Sequence, residues 1–285
     1  MPQPHSPTVR GRRLANDLAE LRETARLTHE QVAATLGHGW NRHKVGRIES
    51  AKIKPSLKDV TELLDLYGVD TAKREWLFAL HRDSWQRGWW EDYRDLFPKG
   101  SYVAQENDAA RIDEWCPQLV SGLLQTDEYA HEIIRIWSRD DGEEETQRRL
   151  RVRLQRRALL NRTNPPAPQL TVVLDEAALR RPIGGEEVMR EQLRALIVAA
   201  RRPNVTILVL PFSVGSHTGL DGPFIVLGFP DSIAPDVAYV ETKAGGNHIE
   251  RSDGVQRFNL DFDDLKNAAL DQEGSLEYIA ALIKE

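Results

Sequence analysis

Residues 28–50 read THEQVAATLGHGWNRHKVGRIES, and this stretch decides the fold of the N-terminal part of the chain. Thr28 followed by Gln31 predicts a capping box, in which each side chain satisfies a backbone N–H at the start of a helix. Gly37 ends that helix, and after a short turn Asn41 predicts the cap of the next one. Two short helices joined by a tight turn are typical of a helix-turn-helix motif.

Periodic apolar residues extend this motif in both directions. They predict a first helix over residues 10–25, a fourth over 57–67 and a fifth over 71–88. The helix that follows the turn, from Asn41 to Ser50, is the predicted recognition helix. The sequence therefore predicts an all-α N-terminal helix-turn-helix domain of five helices.

Charge is distributed unevenly along the 285 residues of the chain. Residues 1–58 contain 11 Lys and Arg against 5 Asp and Glu, a net charge of +6, so the rest of the chain carries −12 of the total of −6. A basic module on an acidic chain indicates a nucleic-acid partner, and the position of these cations on the predicted recognition helix favours DNA contact over a solvated basic face. The candidate DNA-binding residues are His29, Gln31, Asn41, Arg42, His43, Lys44, Arg47, Lys52 and Lys54.

The candidate DNA contacts have different expected roles. The first turn of a recognition helix enters the major groove, where Arg42 and Lys44 can donate to guanine O6 and N7. His29 and Gln31 lie at the start of the preceding helix, whose N-terminal amides can meet a phosphate. The lysines after the recognition helix would add attraction to the DNA backbone.

Composition excludes several classes of protein. The longest apolar run, residues 205–210, is too short to cross a membrane, and residues 1–7 lack the apolar segment of a secretory signal. A single cysteine, Cys116, excludes an internal disulfide and a Cys-rich zinc site. The histidines around the turn have no Cys or Asp to complete a coordination set, so no metal site is predicted. We expect a cytoplasmic protein without a metal or other cofactor.

The second half of the chain mixes strands with helices. Strands are predicted at residues 170–174, 205–210, 224–229 and 237–242. Helices are predicted near residues 102–114, 126–138, 146–162, 186–200, 262–269 and 275–283. Gly245-Gly246-Asn247 predicts a hairpin turn. This pattern predicts an α+β domain with a mostly antiparallel sheet. The expected organisation is a DNA-binding domain at 1–72, a connecting helix and aromatic hinge at 73–98, and an effector domain at 99–285.

Several segments resemble known families. The segments THEQVAATLG, KVGRIES and KPSLKDV resemble the lambda-repressor-like (XRE-type) helix-turn-helix domain over residues 10–70. The segments WCPQLVSGLLQTDEYA, VAYVET and DQEGSLEYIAALIKE resemble the effector domain of WhiJ-like actinobacterial regulators. The resemblance implies a transcription factor that works with a small acidic partner protein encoded nearby, and some such proteins resemble antitoxins.

Three positions depart from the pattern of these families. Gly46 stands where the third helix usually carries Ser, at a cost of about 1 kcal/mol relative to Ala inside a helix. Ser50-Ala51 replaces the usual Asn-Gly, which removes the glycine that tolerates a left-handed backbone at the helix end. Ser121 stands where Pro is expected before Gly122. The first departure could alter base preference and the second helix stability.

Candidate ligand- or partner-binding residues also occur beyond the DNA-binding domain. They are Trp89, Trp90, Trp115, Arg149, Arg153 and His217. For the tryptophans, packing in a core or between domains is the alternative. For the arginine-rich helix, ion pairs with the acidic run at 139–145, a docking surface for an acidic protein and a second nucleic-acid surface stay open. A small ligand between Trp115 and the loop at 215–224 is a further alternative.

The main functional hypothesis is a homodimeric, sequence-specific regulator that binds a pseudo-palindromic operator in double-stranded DNA. Its C-terminal domain would dimerise, bind a small acidic protein, or both. The alternatives are an antitoxin-like module that neutralises a small cognate protein, and a regulator that responds to a small molecule. No nucleophile elbow, zinc-protease motif or phosphate-binding glycine loop occurs in the sequence, so we expect no enzymatic activity and no membrane partner.

Overall fold

The computed structural model describes residues 9–83, 88–96, 102–138, 142–230, 235–242 and 245–284. These residues divide into two compact units, one up to Gln105 and one from Glu106 onward. The predicted fold class is confirmed, because a helical N-terminal unit precedes an α+β unit with a six-stranded sheet.

Five helices make up residues 9–83 of the N-terminal unit. They are α1 (Val9–Thr24), α2 (His29–Leu36), α3 (Arg42–Glu49), α4 (Leu57–Leu66) and α5 (Thr71–Asp83). The first four follow the predicted bounds closely. The prediction extended α5 to residue 88, and residues 84–87 of that prediction lie outside the described part of the chain.

The caps of α2 and α3 form as predicted. The Thr28 hydroxyl accepts the Gln31 backbone N–H at 3.2 Å, while the Gln31 side chain accepts the Thr28 N–H at 2.8 Å. Gly37, with a φ of 73°, ends α2, and the Asn41 side chain accepts the Lys44 N–H at 2.8 Å at the start of α3. Local hydrogen bonds therefore set both ends of the turn.

The core of the N-terminal unit takes residues from all five helices. Its buried members are Leu14, Leu18, Val32, Trp40, Val45, Ile48, Val60, Leu63, Leu64, Leu77 and Leu80. Buried Asp17 of α1 also accepts Arg13 at 2.8 Å and Lys73 at 3.0 Å, and the Lys73 ammonium lies 4.4 Å from the centre of the Trp76 ring. These contacts attach α5 to α1.

The rest of the described chain contains a 3-10 segment, Trp89–Leu96, and then alternates helices with strands. The helices are α6 (Tyr102–Asp108), α7 (Asp127–Trp137), α8 (Glu143–Arg157), α9 (Glu176–Arg180), α10 (Glu186–Ala199), α11 (Ser252–Ala268) and α12 (Gln272–Leu282). The strands are β1 (Arg111–Cys116), β2 (Gln169–Asp175), β3 (Val205–Leu210), β4 (Phe224–Gly228), β5 (Val237–Thr242) and β6 (Gly245–Ile249).

The strands form one sheet in the order β3-β2-β1-β4-β5-β6. Strands β1, β2 and β3 pair in parallel, while β1–β4, β4–β5 and β5–β6 pair antiparallel. Three of the five pairings are thus antiparallel, as the mostly antiparallel prediction requires. Helix α11 covers one face, where Phe262 and Leu265 pack with Trp115 and Phe224 of the sheet.

Two predictions for the C-terminal unit are wrong. Residues 102–114 were predicted as one helix, but the helix ends at Asp108 and β1 runs through the middle of the sheet. Three charged residues in RIDEWC obscure the alternating pattern of a strand. In the structure Arg111 forms an ion pair with the buried Asp113 at 2.5 Å. The predicted turn at 245–247 is instead part of β6, since Thr242 pairs with Gly245.

Candidate nucleic-acid interface

One side of α3 faces solvent and carries Arg42, whereas Lys44, the other residue predicted to contact bases, lies off this side. Val45 and Ile48 are buried in the core, so the opposite side is left for Arg42, His43 and Arg47, all of which are exposed. His43 and Arg47 are four residues apart and therefore lie on one face of the helix. This face offers two guanidinium groups and an imidazole to a partner.

Arg42 lies at the first position of α3 and beside the start of α2. Its guanidinium is 3.4 Å from the Glu30 carboxylate, and both side chains are 62% exposed. Ion pairs with this exposure contribute little to stability. Arg42 can therefore exchange Glu30 for another acceptor at small cost.

Lys44 is turned away from the exposed face of α3. Its ammonium donates to Asp59 of α4 at 2.6 Å and lies 4.1 Å from the centre of the Trp40 ring. Burial raises the pKa of Asp59, but hydrogen bonds from Lys44 and Ser56 outweigh burial, so the pKa is lowered overall. A base contact by Lys44 would have to break this pair.

His29 belongs to a network that joins the first three helices. Its Nε2 is 2.9 Å from Glu49 Oε2, and the Arg22 guanidinium donates to both oxygens of Glu49 at 2.8 and 2.9 Å. The Glu49 side chain is 8% exposed and that of His29 is 38% exposed. The hydrogen bond to Glu49 raises the pKa of Arg22 despite partial burial. His29 thus supports the position of α3 and keeps part of its ring at the surface.

The remaining predicted DNA contacts are exposed. Gln31 and Asn41 use their side-chain oxygens as helix caps, which leaves their amide N–H groups as donors for phosphate. Lys52 and Lys54 follow α3 and are also exposed. The structure therefore keeps seven of the nine predicted residues exposed, on α2, in the turn, on α3 and in the segment after α3, whereas Lys44 and His29 contact carboxylates within the unit. Sequence reasoning missed Arg22 and Glu49 because their partnership spans two helices.

Trp89 and Trp90 form a small aromatic cluster in the N-terminal unit. Their ring centroids are 6.0 Å apart in an edge-to-face arrangement. Trp90 is 9% exposed and packs with Val103 and Ala104. This environment matches the packing alternative for these two residues.

Trp115 and His217 fill the place where a small ligand was an alternative. The Trp115 indole N–H donates to the Gly219 carbonyl at 2.9 Å, and a Cβ on Gly219 would lie only 2.5 Å from that nitrogen. The His217 ring packs edge-to-face on Trp115, its Nδ1 accepts the Gly219 N–H at 3.2 Å, and its Nε2 is 4.0 Å from Asp175. Direct contacts with the loop therefore occupy the space next to the Trp115 indole ring.

Most arginines of α8 form ion pairs within the C-terminal unit. Arg149 and Arg148 lie 3.1 and 3.0 Å from Glu145 of the acidic run. Arg153 instead donates to the Gln125 side-chain oxygen at 3.0 Å. The intramolecular alternative therefore describes several of these arginines, although residues 139–141 of the acidic run lie outside the described chain.

Two other features are absent from the part of the chain that the structure describes. No group of three or more His, Cys, Asp or Glu side chains there could hold a metal ion. No helix among the described residues is long and apolar enough to span a bilayer.

Comparisons with known proteins agree with the two-unit organisation. Residues 13–77 match the family model described as a helix-turn-helix domain, and residues 100–281 match the one described as a domain of unknown function, DUF5753. No curated protein and no solved structure matches the chain.

Proposed function

The chain belongs to the DUF5753 family and carries a helix-turn-helix domain, and on this basis we propose that it is a sequence-specific transcription regulator. The helix-turn-helix match supports a DNA-binding regulator. Sequence-specific binding is supported by the exposed side of α3, which presents Arg42, His43 and Arg47 to solvent. Val45 and Ile48 on the opposite side fix the helix in the core.

In the proposed complex, the exposed side of α3 lies in the major groove. Arg42 and Arg47 donate to base acceptors, for which a guanidinium fork and guanine O6 and N7 are matched. Gln31 and Asn41 donate to phosphates beside α2, and the lysines after α3 add sequence-independent attraction. The buried Glu49 network keeps α1, α2 and α3 in a fixed arrangement, so little ordering is needed when DNA binds.

We further propose that two copies bind one pseudo-palindromic operator, with half-sites about 10 bp apart. The C-terminal unit would act by binding and not by catalysis, as a dimerisation surface, a partner-binding surface, or both. The family resemblance supports these separate roles of the two units. A small acidic protein would bind one conformational state of the regulator more tightly than the other and so alter its affinity for DNA.

The test is selection of DNA from a random pool by the full-length protein, the Arg42→Ala/Arg47→Ala variant, and an Arg251→Ala control. Arg251 is 85% exposed and lies in the C-terminal unit, so it controls for the loss of a surface cation. We expect a motif with two-fold symmetry from wild type and control. Each lost base contact should weaken binding to that motif by about 1–3 kcal/mol.

Salt dependence separates the possible results. Binding without a recovered motif, with a steep dependence on salt, would indicate phosphate attraction alone and contradict sequence-specific recognition. A motif retained in the double variant would show that the reading residues lie elsewhere.

A further inference from the structure

The first residue of α2, His29, contacts a carboxylate that is already bound by a guanidinium. Its Nε2 lies 2.9 Å from Glu49 Oε2, and Arg22 donates to both oxygens of Glu49 at 2.8 and 2.9 Å. A carboxylate held in this way is an acceptor only, so Nε2 of His29 carries the hydrogen of this contact. The neutral imidazole is therefore the Nε2–H tautomer, and its Nδ1 is an acceptor.

The Nδ1 edge of the His29 ring lies beside α3. A Cβ added at Gly46 would be 3.8 Å from Nδ1, and Gly46 follows Arg42 by four residues, on the same face of the helix. Within the described chain, Nδ1 makes no hydrogen bond and remains accessible to solvent. Nδ1 is therefore the ring nitrogen of His29 that a partner of α2 and α3 can reach.

His43 has the opposite arrangement on the exposed side of α3. The Arg42 Nε donates to His43 Nε2 at 3.5 Å, and a guanidinium is a donor only. In neutral His43 the hydrogen is then on Nδ1, which can donate to an anion without taking up a proton. The two histidines of one surface thus differ, because neutral His29 offers an acceptor and neutral His43 offers a donor.

The charges around His29 are balanced while its ring is neutral. Arg22 and Glu49 offset each other, and Glu30 on the same helix as His29 is paired with Arg42 at 3.4 Å. An imidazolium at His29 would add a positive charge that nothing in this group neutralises. A DNA phosphate beside Nδ1 would supply the missing negative charge.

The neighbouring titratable groups keep one charge state near neutral pH. Hydrogen bonds from its own backbone N–H and from a guanidinium lower the pKa of Glu30, and the hydrogen bond to Glu49 raises the pKa of Arg22. Burial, followed by the charge of Glu49, raises the pKa of Tyr67 at the end of α4, so the phenol stays neutral. Histidine is the residue type whose charge ordinarily changes between pH 5 and 8, so a change in this range is assigned to His29.

We propose that His29 contacts a DNA phosphate only in its protonated form, so that DNA binding takes up a proton. Protonation adds Nδ1–H, which donates to a phosphate oxygen in a charge-assisted hydrogen bond, while Nε2–H stays on Glu49. The neutral ring would turn a lone pair toward the phosphate, which is repulsive. The contact depends on the proposed function, because it describes how the same DNA-binding surface responds to pH. The affinity for DNA is highest at low pH and falls as rising pH removes the proton.

The measurement is the Kd of the full-length protein for the selected operator duplex, from pH 6 to pH 8. Ionic strength is held constant, because attraction to phosphate depends on salt. We expect the affinity of wild type to fall about five- to tenfold over this range, since a charged hydrogen bond is lost. Calorimetric titrations in two buffers of different ionisation enthalpy should show net proton uptake on binding.

Two variants distinguish the histidines. His29→Gln has no ring to protonate, so its Kd should change less than about twofold between pH 6 and pH 8, without proton uptake. His43→Gln is the matched control, because it removes a donor that needs no added proton. It should weaken binding at both pH values and keep the pH dependence of wild type. The ¹⁵N spectrum of the free wild-type protein should show the Nε2–H tautomer for His29, a result that needs no variant to fold.

The outcomes separate this contact from the proposed function. If wild type binds no DNA at either pH, the proposed regulator is wrong and the phosphate contact of His29 is wrong with it. Sequence-specific binding with the same Kd at both pH values would retain the regulator and overturn only the role of His29. A pH dependence that persists in His29→Gln, or an Nδ1–H tautomer in the free protein, would also overturn it.

Discussion

Each of the two units of this protein is stabilised internally, and the stabilising contacts differ in how far apart their residues lie along the chain. In the N-terminal unit, caps at Thr28 and Asn41 set the starts of α2 and α3, and the short turn between these helices brings them into contact. In the C-terminal unit, β1 pairs with strands that begin at Gln169 and Phe224. The capping contacts depend on residues a few positions apart in the sequence, whereas the strand pairings form only when distant segments of the chain meet.

Exposed and buried ion pairs differ in what they contribute to stability. The exposed side of α3 keeps its cations at the surface, where ion pairs such as Arg42–Glu30 are weak. Both units also bury charges that join distant segments, as in the pairs of Asp17 with Lys73 and of Glu106 with Arg156. Substitutions that remove buried charges should therefore have larger effects than those that adjust local backbone.

The largest effect is expected for Glu106→Gln. Glu106 accepts from Arg156 at 2.7 and 2.8 Å and is 1% exposed, so the variant removes the buried carboxylate charge to which this guanidinium donates. We expect the C-terminal unit to lose about 3–5 kcal/mol of stability, measured by urea unfolding with hydrogen exchange to locate the unit affected. Glu144→Gln, at an exposed position of α8, is the control and should change little. A loss below about 1 kcal/mol would contradict the role given to the buried pair.

Glu49→Gln tests the same idea in the N-terminal unit. It weakens the bidentate pair with Arg22 and the contact with His29 but leaves one acceptor, so we expect a loss of about 2 kcal/mol. Hydrogen exchange should show faster opening of α1 and α3 only. Glu30→Gln, whose pair with Arg42 is exposed, is the control. Equal effects of the two substitutions would show that burial of Glu49 has no energetic consequence.

Ala51→Gly tests local backbone strain at the end of α3. Ala51 has a φ of 53°, in the left-handed region that favours glycine. Relief of that strain, reduced by the added freedom of the unfolded chain, should stabilise the protein by about 1 kcal/mol in thermal unfolding. Ala34→Gly, at an exposed position within α2, should have the opposite sign. Destabilisation by both variants would mean that the methyl group of Ala51 contributes more than its backbone costs.

Gly46→Ala should have the smallest effect. An added Cβ would lie 3.7 Å from the His29 ring, an ordinary contact, so the gain in helix propensity should stabilise α3 by about 0.5–1 kcal/mol. Gly39→Ala is the matched contrast, because a φ of 92° makes alanine strained there. The Tm should rise for the first and fall for the second. A fall for both would show that His29 needs more room than the structure indicates.

The sequence predicted α1 to α4 and the caps of the turn, because periodicity and capping act over a few residues. It also placed Arg42, His43 and Arg47 on a solvent-facing helix. It did not reveal that Lys44 pairs with Asp59. A lysine at this position of α3 can point to solvent or toward α4, and the helical pattern is the same in both cases. Strand β1 was missed because three of its six residues are charged, and the partners that accommodate them include residues far along the chain, such as Asp236 for Arg111.

The sequence by itself determined the helix-turn-helix, its basic face and the alternation of helices and strands that follows. Tertiary structure alone decided which charges are neutralised, because a counter-charge is defined by distance in space and not by position in the chain. It closed the space beside Trp115 by direct contact, and it left Arg153 facing an amide and Glu114 facing a hydroxyl. Burial makes each of these choices energetically important, since water no longer compensates an unmatched charge.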